Sequence, residues 1–516
     1  MEPIKRSEGT TESERYLGSL ADRSFIDLWS YPNTFTNKKD KNGGDGKELC
    51  DLLVVCGDDV VIFSDKSIGW PAHQDLNVSW ARWYRRAIGK SVDQIRGAER
   101  WLRNFPDRIF TDRLCTQQLP IDLPPPHKAQ VHGIAIALGA DNACKEYFGA
   151  ASGSLPIFGL LKGAEHVKPD AAAYMPFAIG DADPEGPFVH VFDKAGLDLV
   201  LTELDTISDF TRYLRERAEF IRGGHVGFVP GEAELLGLYL NYSDSKGEHR
   251  FPTASDFGAS GGYTITLVDG DLGALASSQY KTKKQADEVS YVWDRLIGLF
   301  TEHILAGTSV ALSSEQPSAR RAEPALRIMA KEPRTMRRAL GEAFVEALKS
   351  AERERQDRFA RVVLLDGSAS EYGYIFLILA YPTEFELKDG YEQYRRTRAA
   401  MLETYCATVL YENRHLKRMV GIALDASSQI TGREGGSEDL VVFEVDEWTP
   451  ELEAQVNQRR MQYDILDPKR LRKTRRHYDE YPAVSIAPPV PRASGRNRKE
   501  KRVAEKLARK SLKRGD

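Results

Sequence analysis

The stretch Glu48-Leu-Cys-Asp-Leu-Leu-Val-Val-Cys-Gly-Asp-Asp-Val-Val-Ile-Phe-Ser-Asp-Lys66 joins two short apolar runs at Gly57-Asp58-Asp59 and carries charge within them. Leu49 to Val55 and Val60 to Phe63 are rich in leucine and β-branched residues, and Gly-Asp-Asp is hairpin punctuation, so a β-hairpin is expected. Asp51 falls in the middle of the first strand and Lys66 at the end of the second. Burying either costs roughly several kcal/mol unless it is paired, hydrated or metal-bound. Such charges mark either a chemical site or a structural ion pair.

Working outward, a chain of 516 residues implies two to four domains, and 41% hydrophobic content is enough to give each a core. With 29% charged residues and a net charge of −4, no global basic character points to nucleic acid; any such signal is local. Cys50, Cys56, Cys115, Cys144 and Cys406 form no CxxC pair, which fits a reduced, cytoplasmic setting without structural zinc. The polar start and the lack of a long apolar run predict neither a signal peptide nor a membrane span.

The expected class is α/β. Before the hairpin, Glu12 to Ser30 reads as a helix with Leu17, Leu20, Ala21, Phe25 and Leu28 on one face and Tyr31-Pro32-Asn33 as its stop. Glu14 sits on that face, either as a first-turn carboxylate favoured by the helix dipole or as an acid aimed at the sheet. Asn37 to Lys47 reads as a polar glycine-rich loop. After the hairpin, Asn77 to Lys90 carries an apolar stripe (Trp80, Trp83, Tyr84, Ile88) and a basic one (Arg82, Arg85, Arg86, Lys90). A second helix from Ser91, its N-cap, to Phe105 carries Gln94. Strands are expected at Arg108–Thr111, Val131–Leu138, Phe188–Phe192 and Leu197–Leu201, then a helix at Ile207–Ile221. The organisation predicted is a first α/β domain over 1–225, a mixed α/β region over 226–312, a linker over 313–324, and an α+β domain over 325–480. In the middle region a helix (Glu232–Tyr242), a strand (Tyr263–Val268) and a long helix (Lys284–Leu305) are expected. Residues 481–516 form a proline-rich then basic tail; Arg492 to Asp516 holds eleven Lys or Arg against three acids, able to hold a polyanion or simply to solubilise.

A metal-dependent phosphodiesterase needs carboxylates for Mg²⁺, a cation beside the attacked phosphate, and a rigid sheet to fix their separation. Asp51 and Lys66 would be brought close by the turn, with Glu14 and Gln94 closing the site from flanking helices. The order helix with Glu14, strand with Asp51, strand ending at Lys66, helix with Gln94 resembles the PD-(D/E)xK nuclease superfamily over roughly the first 110 residues. The resemblance implies a restriction-endonuclease-like α/β/α core and a metal-dependent nuclease acting on DNA or RNA. It implies that Asp51 and the (D/E)xK acid bind Mg²⁺ or Mn²⁺, that Lys66 activates water and that Gln94 supports the site. It also brings, by analogy, a role in bacterial anti-phage defence. The sequence departs from the pattern where that acid should stand, two residues before the lysine: the position is Ser64, and Asp65 alternates to the other sheet face. A β-bulge turning Asp65 inward would restore the acid. So would a carboxylate from Asp75, Asp93 or Glu99; otherwise no second ligand exists and the protein is an inactive nuclease-like nucleic-acid-binding or assembly protein. The expected catalytic set is thus Asp51, Lys66, Gln94, Asp65 and Glu14, with Asp51, Asp65 and Glu14 as the metal ligands.

Arg82, Arg85, Arg86 and Lys90 are the expected phosphate contacts, with the tryptophans anchoring their helix. A partner protein or a homo-oligomer is compatible with the length, and no membrane partner is expected. The histidines show no HExxH, the glycine-rich segments lack the Gly-Lys-Ser/Thr of a P-loop, and Asp181-Ala-Asp183-Pro-Glu185 is expected to be solvated.

Overall fold

A computed structural model gives the fold and describes residues 3–39, 45–149, 154–245, 247–259, 261–310, 318–354, 357–365, 371–381, 390–426, 436–465 and 474–482. The expected basic tail after residue 482 and the first half of the expected linker lie outside them. α1 (Glu12–Phe25) starts at a capping box in which the Thr11 hydroxyl accepts from the Glu14 N–H and the Glu14 carboxylate accepts from the Thr11 N–H. It ends earlier than the sequence predicts. The chain turns at Ile26 (φ 65°) and enters a strand, β1 (Ser30–Lys39), so Tyr31-Pro32-Asn33 lies within a strand rather than stopping a helix. β1 pairs antiparallel with β2 (Gly46–Cys56), and β2 with β3 (Asp59–Ser67) across the expected turn.

After β3 the chain forms α2 (Leu76–Tyr84), a π-helical turn at Arg85–Gly89 and α3 (Lys90–Asn104) without a break. Ser91 is therefore no N-cap: it lies inside the helix, and its hydroxyl donates to the Ala87 carbonyl at 2.8 Å. Next come β4 (Ile109–Phe110), β5 (Gln130–Leu138), α4 (Asp141–Phe148), β6 (Ile157–Lys162), β7 (Ile179–Asp181) and β8 (Val189–Phe192). The main sheet has the order β4-β1-β2-β3-β5-β8, antiparallel through the hairpin and parallel from β3 to β5 to β8. β4 reaches only Phe35 and Thr36 of β1. Pro32, with no N–H for a ladder, thus falls where β1 has a strand neighbour on one side only among the described residues.

The expected strand at Leu197–Leu201 is helical, within α5 (Lys194–Glu203). Its buried Leu197, Val200 and Leu201 follow helical spacing, and Asp193 caps it by accepting from the Gly196 N–H at 2.7 Å. α6 (Ile207–Arg222), β9 (Phe228–Val229) and α7 (Glu232–Leu240) follow. Tyr263–Val268, also expected as a strand, makes only an isolated bridge from Ile265 to Val226. The expected long helix is two, α8 (Ser278–Asp287) and α9 (Tyr291–Leu305), separated by a 3₁₀ turn. Ala319–Glu323, placed in the linker by sequence, opens α10 (Ala319–Ala330), where buried Glu323 accepts from the Trp29 indole at 2.8 Å.

α11 (Arg334–Glu354) leads into a second sheet, β10 (Arg358–Leu364), β11 (Tyr372–Leu379), β12 (Arg418–Asp425) and β13 (Glu438–Glu444), with α12 (Gly390–Glu412) between β11 and β12 and α13 (Pro450–Tyr463) at the end. Tyr374 and Phe376 of β11 pack on Trp293 and Phe344 from α9 and α11. Ile375 and Leu377 belong to a separate core with Leu402 and Cys406 of α12. The first core runs continuously from Leu17 through Phe210 and Trp293 to Phe376 and Ile422, so the main sheet and one face of the second share it.

The faces of the main sheet follow from neighbouring residues of β3. Phe63 meets Phe25 of α1, which packs against Phe210 of α6 with the rings tilted, while Ser64 meets Ser91 and Gln94 of α3. The sheet is therefore clamped between α1 and α6 on one face and α3 on the other. α3 lies close: a Cβ added at Gly133 of β5 would stand 2.5 Å from Ile95 Cγ2. Gly133→Ala is expected to destabilise the fold by about 1 to 3 kcal/mol by lifting α3. Urea unfolding midpoints measure this, and a variant as stable as the parent would contradict the packing.

Candidate active site at the end of the hairpin

Alternation and the short turn determine what meets at the open end of the hairpin. Leu52 pairs with Phe63, so Asp51 stands opposite Ser64, and Lys66 follows on the Ser64 face. The Asp51 Oδ2 accepts from Lys66 Nζ at 3.2 Å and from the Asp65 N–H at 2.6 Å. Lys66 Nζ also donates to the Asp65 carbonyl at 3.1 Å. Asp51 is buried, with a side chain only 5% exposed, whereas the Lys66 side chain is 27% exposed. The pair is thus a buried carboxylate with its cation at the solvent boundary.

Ser64 is fully buried, and its hydroxyl donates to Ser91 Oγ at 3.1 Å and Gln94 Oε1 at 2.9 Å. Gln94 therefore reaches the position where the resemblance expects an acid. β3 and β5 stay in unbroken register from Asp59 to Ser67, so no bulge turns Asp65 to the Ser64 face. Asp65 is nevertheless buried, and among the described residues its Oδ1 has no hydrogen-bond partner. Of the other acids considered, Asp75 is spent as the N-cap of α2, Glu99 pairs with Arg103 at 2.8 Å, and Asp93 is solvent-exposed on α3. Glu14 accepts from the Thr10 and Thr11 N–H groups at 2.7 and 3.1 Å and from Asn33 Nδ2 at 3.1 Å. Its first-turn capping role is realised, with one further bond toward the hairpin.

The residue that sequence reasoning left unassigned is Glu48. Strict alternation puts it on the opposite face from Asp51, three residues on. The β1–β2 register slips here, with Thr34 opposite Cys50 but Phe35 opposite Glu48, a bulge at Leu49 that breaks the alternation. Asn33, in the left-handed region at φ 48°, bridges Glu48 Oε1 (3.2 Å) and Glu14. The only sequence signal is indirect, an acid at the mouth of an apolar strand.

Burial raises the carboxyls of Glu48, Asp51 and Asp65 above the usual range, and carboxylate neighbours add to it: Asp51 and Glu14 act on both Glu48 and Asp65, and Glu14 on Asp51. The offset comes chiefly from Lys66 for Asp51, from a Ser13 hydrogen bond ahead of Lys66 for Asp65, and from the Asn33 bond ahead of Lys66 for Glu48. Glu14 goes the other way: burial raises it, but the Asn33 bond and the capping N–H groups hold it low. At the turn end of the hairpin, burial also raises Asp59, but His132 (3.5 Å), Lys331 (3.3 Å) and Arg215 (3.1 Å) outweigh it and hold the carboxyl low. One end of the hairpin has its acid fully compensated, and the other does not.

Among the described residues, no three His, Cys, Asp or Glu side chains gather to hold a metal ion, so Asp51, Asp65 and Glu14 are not assembled as a ligand set. Asp181 and Asp183 are buried rather than solvated; the cations they hold are Arg222 (2.7 Å) and Arg96. Cys50 and Cys56 are buried with thiols pushed up by desolvation, which suits packing rather than nucleophilic work. Trp80 and Trp83 are fully buried and donate to the His166 and Ile68 carbonyls at 2.6 and 3.0 Å. Arg82, Arg85, Arg86 and Lys90 are all exposed and form no ion pair among the described residues. No described helix is long and apolar enough to cross a membrane. No protein-family model, curated protein or solved structure matches the chain.

The raised carboxyls imply a definite pH dependence. A carboxyl raised in the folded state is protonated there before it is in the unfolded chain, so stability falls as pH rises from about 4 through the raised value. Asp65→Asn is expected to stabilise the protein at pH 7 by on the order of 1 kcal/mol, a gain that disappears near pH 4. Urea midpoints at the two pH values test this; a gain of equal size at both would contradict the assignment.

Proposed function

We propose that the chain is a metal-dependent nuclease whose N-terminal part is a PD-(D/E)xK-like α/β/α core, hydrolysing phosphodiester bonds of DNA or RNA at the Asp51–Lys66 end of the hairpin. The observation that carries this reading is the 3.2 Å contact between buried Asp51 and half-exposed Lys66, on adjacent antiparallel strands between a Glu14-bearing helix and a Gln94-bearing one. A purely structural pair needs no further acids around it. Here Glu48 and Asp65 also feel the Asp51 charge, and the single lysine does not neutralise them.

The implied ion is Mg²⁺ or Mn²⁺. Mg²⁺ keeps several waters and is commonly held by one or two carboxylates together with substrate phosphates, so a three-acid cage is not required. Asp51 and Glu48 are the residues that would hold it, since the bulge places Glu48 within electrostatic reach of Asp51. A bound ion would supply Lewis-acid polarisation of a phosphate and a more acidic water. The chain's own groups do the rest. Two of the three Lys66 N–H donors are used, on Asp51 and on the Asp65 carbonyl, which leaves one to orient a water or a phosphate oxygen. Gln94 accepts from Ser64 and keeps its amide N–H donors for substrate or solvent. The exposed cations Arg82, Arg85, Arg86 and Lys90 supply phosphate contacts on the outer side of the helix whose tryptophans anchor it.

Ser64 supports a second reading. It occupies the acid's place and is satisfied by Ser91 and Gln94, as in a nuclease-like nucleic-acid-binding or assembly protein without hydrolysis. Incubating the full chain with plasmid, single-stranded DNA and RNA in Mg²⁺ or Mn²⁺ separates the two. Cleavage that falls at least about 100-fold in Asp51→Ala and in Lys66→Ala is expected. Cleavage surviving both substitutions would overturn the site, and no cleavage of any substrate would favour the second reading. A role in bacterial anti-phage defence suits a nuclease with long appended segments, by analogy alone.

A further inference from the structure

A cavity of about 200 Å³ opens where α6, α7 and α8 meet the first turn of α11, and it shares no residue with the Asp51–Lys66 end of the hairpin. Its volume is well above the roughly 10–15 Å³ that admits one water and below the roughly 300 Å³ at which pockets for drug-sized ligands begin, so it suits a small molecule. Such sites favour the junctions between structural units.

One wall is a strap. Residues 474–482 form an irregular segment that lines the cavity with Tyr478 and Glu480. Among the described residues it makes no backbone–backbone hydrogen bond, and side chains hold it. Tyr478 Oη donates to Glu342 at 2.9 Å, Tyr481 Oη donates to the Leu240 carbonyl at 2.8 Å, and Arg338 donates to the Asp479 carbonyl. Glu480 is the anchor that reaches inward. Its carboxylate accepts from the Thr335 hydroxyl, pairs with Lys283 at 3.0 Å and lies 3.3 Å from His249 Nε2. Thr335 is the second residue of α11, a helix of 21 residues, so the carboxylate also sits at a positive helix end.

This cradle is built for one negative charge. Lys283, its side chain only 6% exposed, divides between Asp287 at 2.6 Å and Glu480. The other cations on the cavity wall turn elsewhere: Arg212 to Glu248 at 3.0 Å, and Arg334 to Asp205 and Asp294 at 2.8 and 2.7 Å. Burial raises the Glu480 carboxyl, but His249 and Lys283 outweigh it and hold it at about 2. The strap nevertheless leaves the space beneath it unfilled. Both ring nitrogens of His249, on the cavity wall, are buried, and Nδ1 has no partner among the described residues. Most buried polar atoms have one. Tyr239, Tyr280, Leu240 and Met336 supply an apolar side to the same space.

We propose that the cavity is a binding site for a small carboxylate with an apolar body, and that Glu480 is the strap's own stand-in for it. The ligand's carboxylate takes the Lys283 and Thr335 donors, its body fills the cavity, and the strap is released. A carboxylate replaces Glu480 charge for charge. A phosphate dianion does not, since Lys283 is the single Lys or Arg among the described residues that pairs with Glu480.

The test is calorimetric titration of sodium benzoate, sodium acetate and inorganic phosphate into the full chain at one ionic strength. Competition with the strap predicts that Glu480→Ala binds benzoate at least about tenfold more tightly than the parent, because the variant no longer holds the site closed. If Glu480→Ala fails to fold, Glu480→Gln, which keeps the bulk and removes the charge, is read in the same way. Benzoate should bind at least about tenfold more tightly than acetate, since its ring buries apolar surface, and phosphate should bind no more tightly than acetate. Adding Lys283→Met, or the milder Thr335→Val, to Glu480→Ala should weaken benzoate at least about tenfold. A folded Glu480 variant that binds benzoate no better than the parent overturns the proposal. So does equal affinity for benzoate and acetate, a preference for phosphate, or benzoate binding that a folded Thr335→Val leaves unchanged. None of these results bears on the Asp51–Lys66 site.

Discussion

Asp51 holds the open end of the hairpin together. One oxygen of its carboxylate accepts both the Lys66 ammonium and the Asp65 N–H, so a single buried charge fixes the end of β3 against the middle of β2. Removing that charge leaves Lys66 without its acid and a buried backbone N–H without its acceptor. The pair is poorly described as a stabilising salt bridge. Burial raises the Asp51 carboxyl even against Lys66, which means that desolvation outweighs the attraction.

The two ends of the same hairpin show what compensation looks like here. At the turn, Asp59 is as buried as Asp51 but faces Arg215, Lys331 and His132, from α6, the segment after α10, and β5. That end is tied to the rest of the molecule and is electrostatically settled. At the open end, Glu48, Asp51 and Asp65 share one lysine among the described residues, and none of those residues partners Asp65 Oδ1. Asp51 and Asp65 are buried while Glu48 is solvent-exposed beside them; buried carboxylates short of compensating cations weaken a fold and attract cations, and this imbalance is the physical basis for reading the open end as the working one.

The meeting of Asp51 and Lys66 was legible because it needs only arithmetic: a short turn at Gly57-Asp58 and a period of two place Asp51 beside Ser64 and one step from Lys66. Gln94 was legible through helical spacing after the hairpin. What the pattern hid were departures from periodicity. The bulge at Leu49 moved Glu48, and the π-turn at Arg85–Gly89 fused two expected helices into one and made Ser91 an interior residue. β1 was hidden because Pro32 and Asn33 read as helix-stop residues, whereas a strand neighbour on one side only, among the described residues, allowed them in the sheet. Leu197–Leu201 is an apolar run too short for its period to separate strand from helix, and tertiary packing made it helical.

The central claim, that the open end of the hairpin seeks a hard cation, is tested most directly by calorimetric titration of Mn²⁺ into the full chain without nucleic acid. One-site binding is expected in the parent and in Asp59→Asn, weakened at least about tenfold in Asp51→Asn and in Glu48→Gln. An Asp51→Asn protein that is folded and binds Mn²⁺ as tightly as the parent would contradict the account.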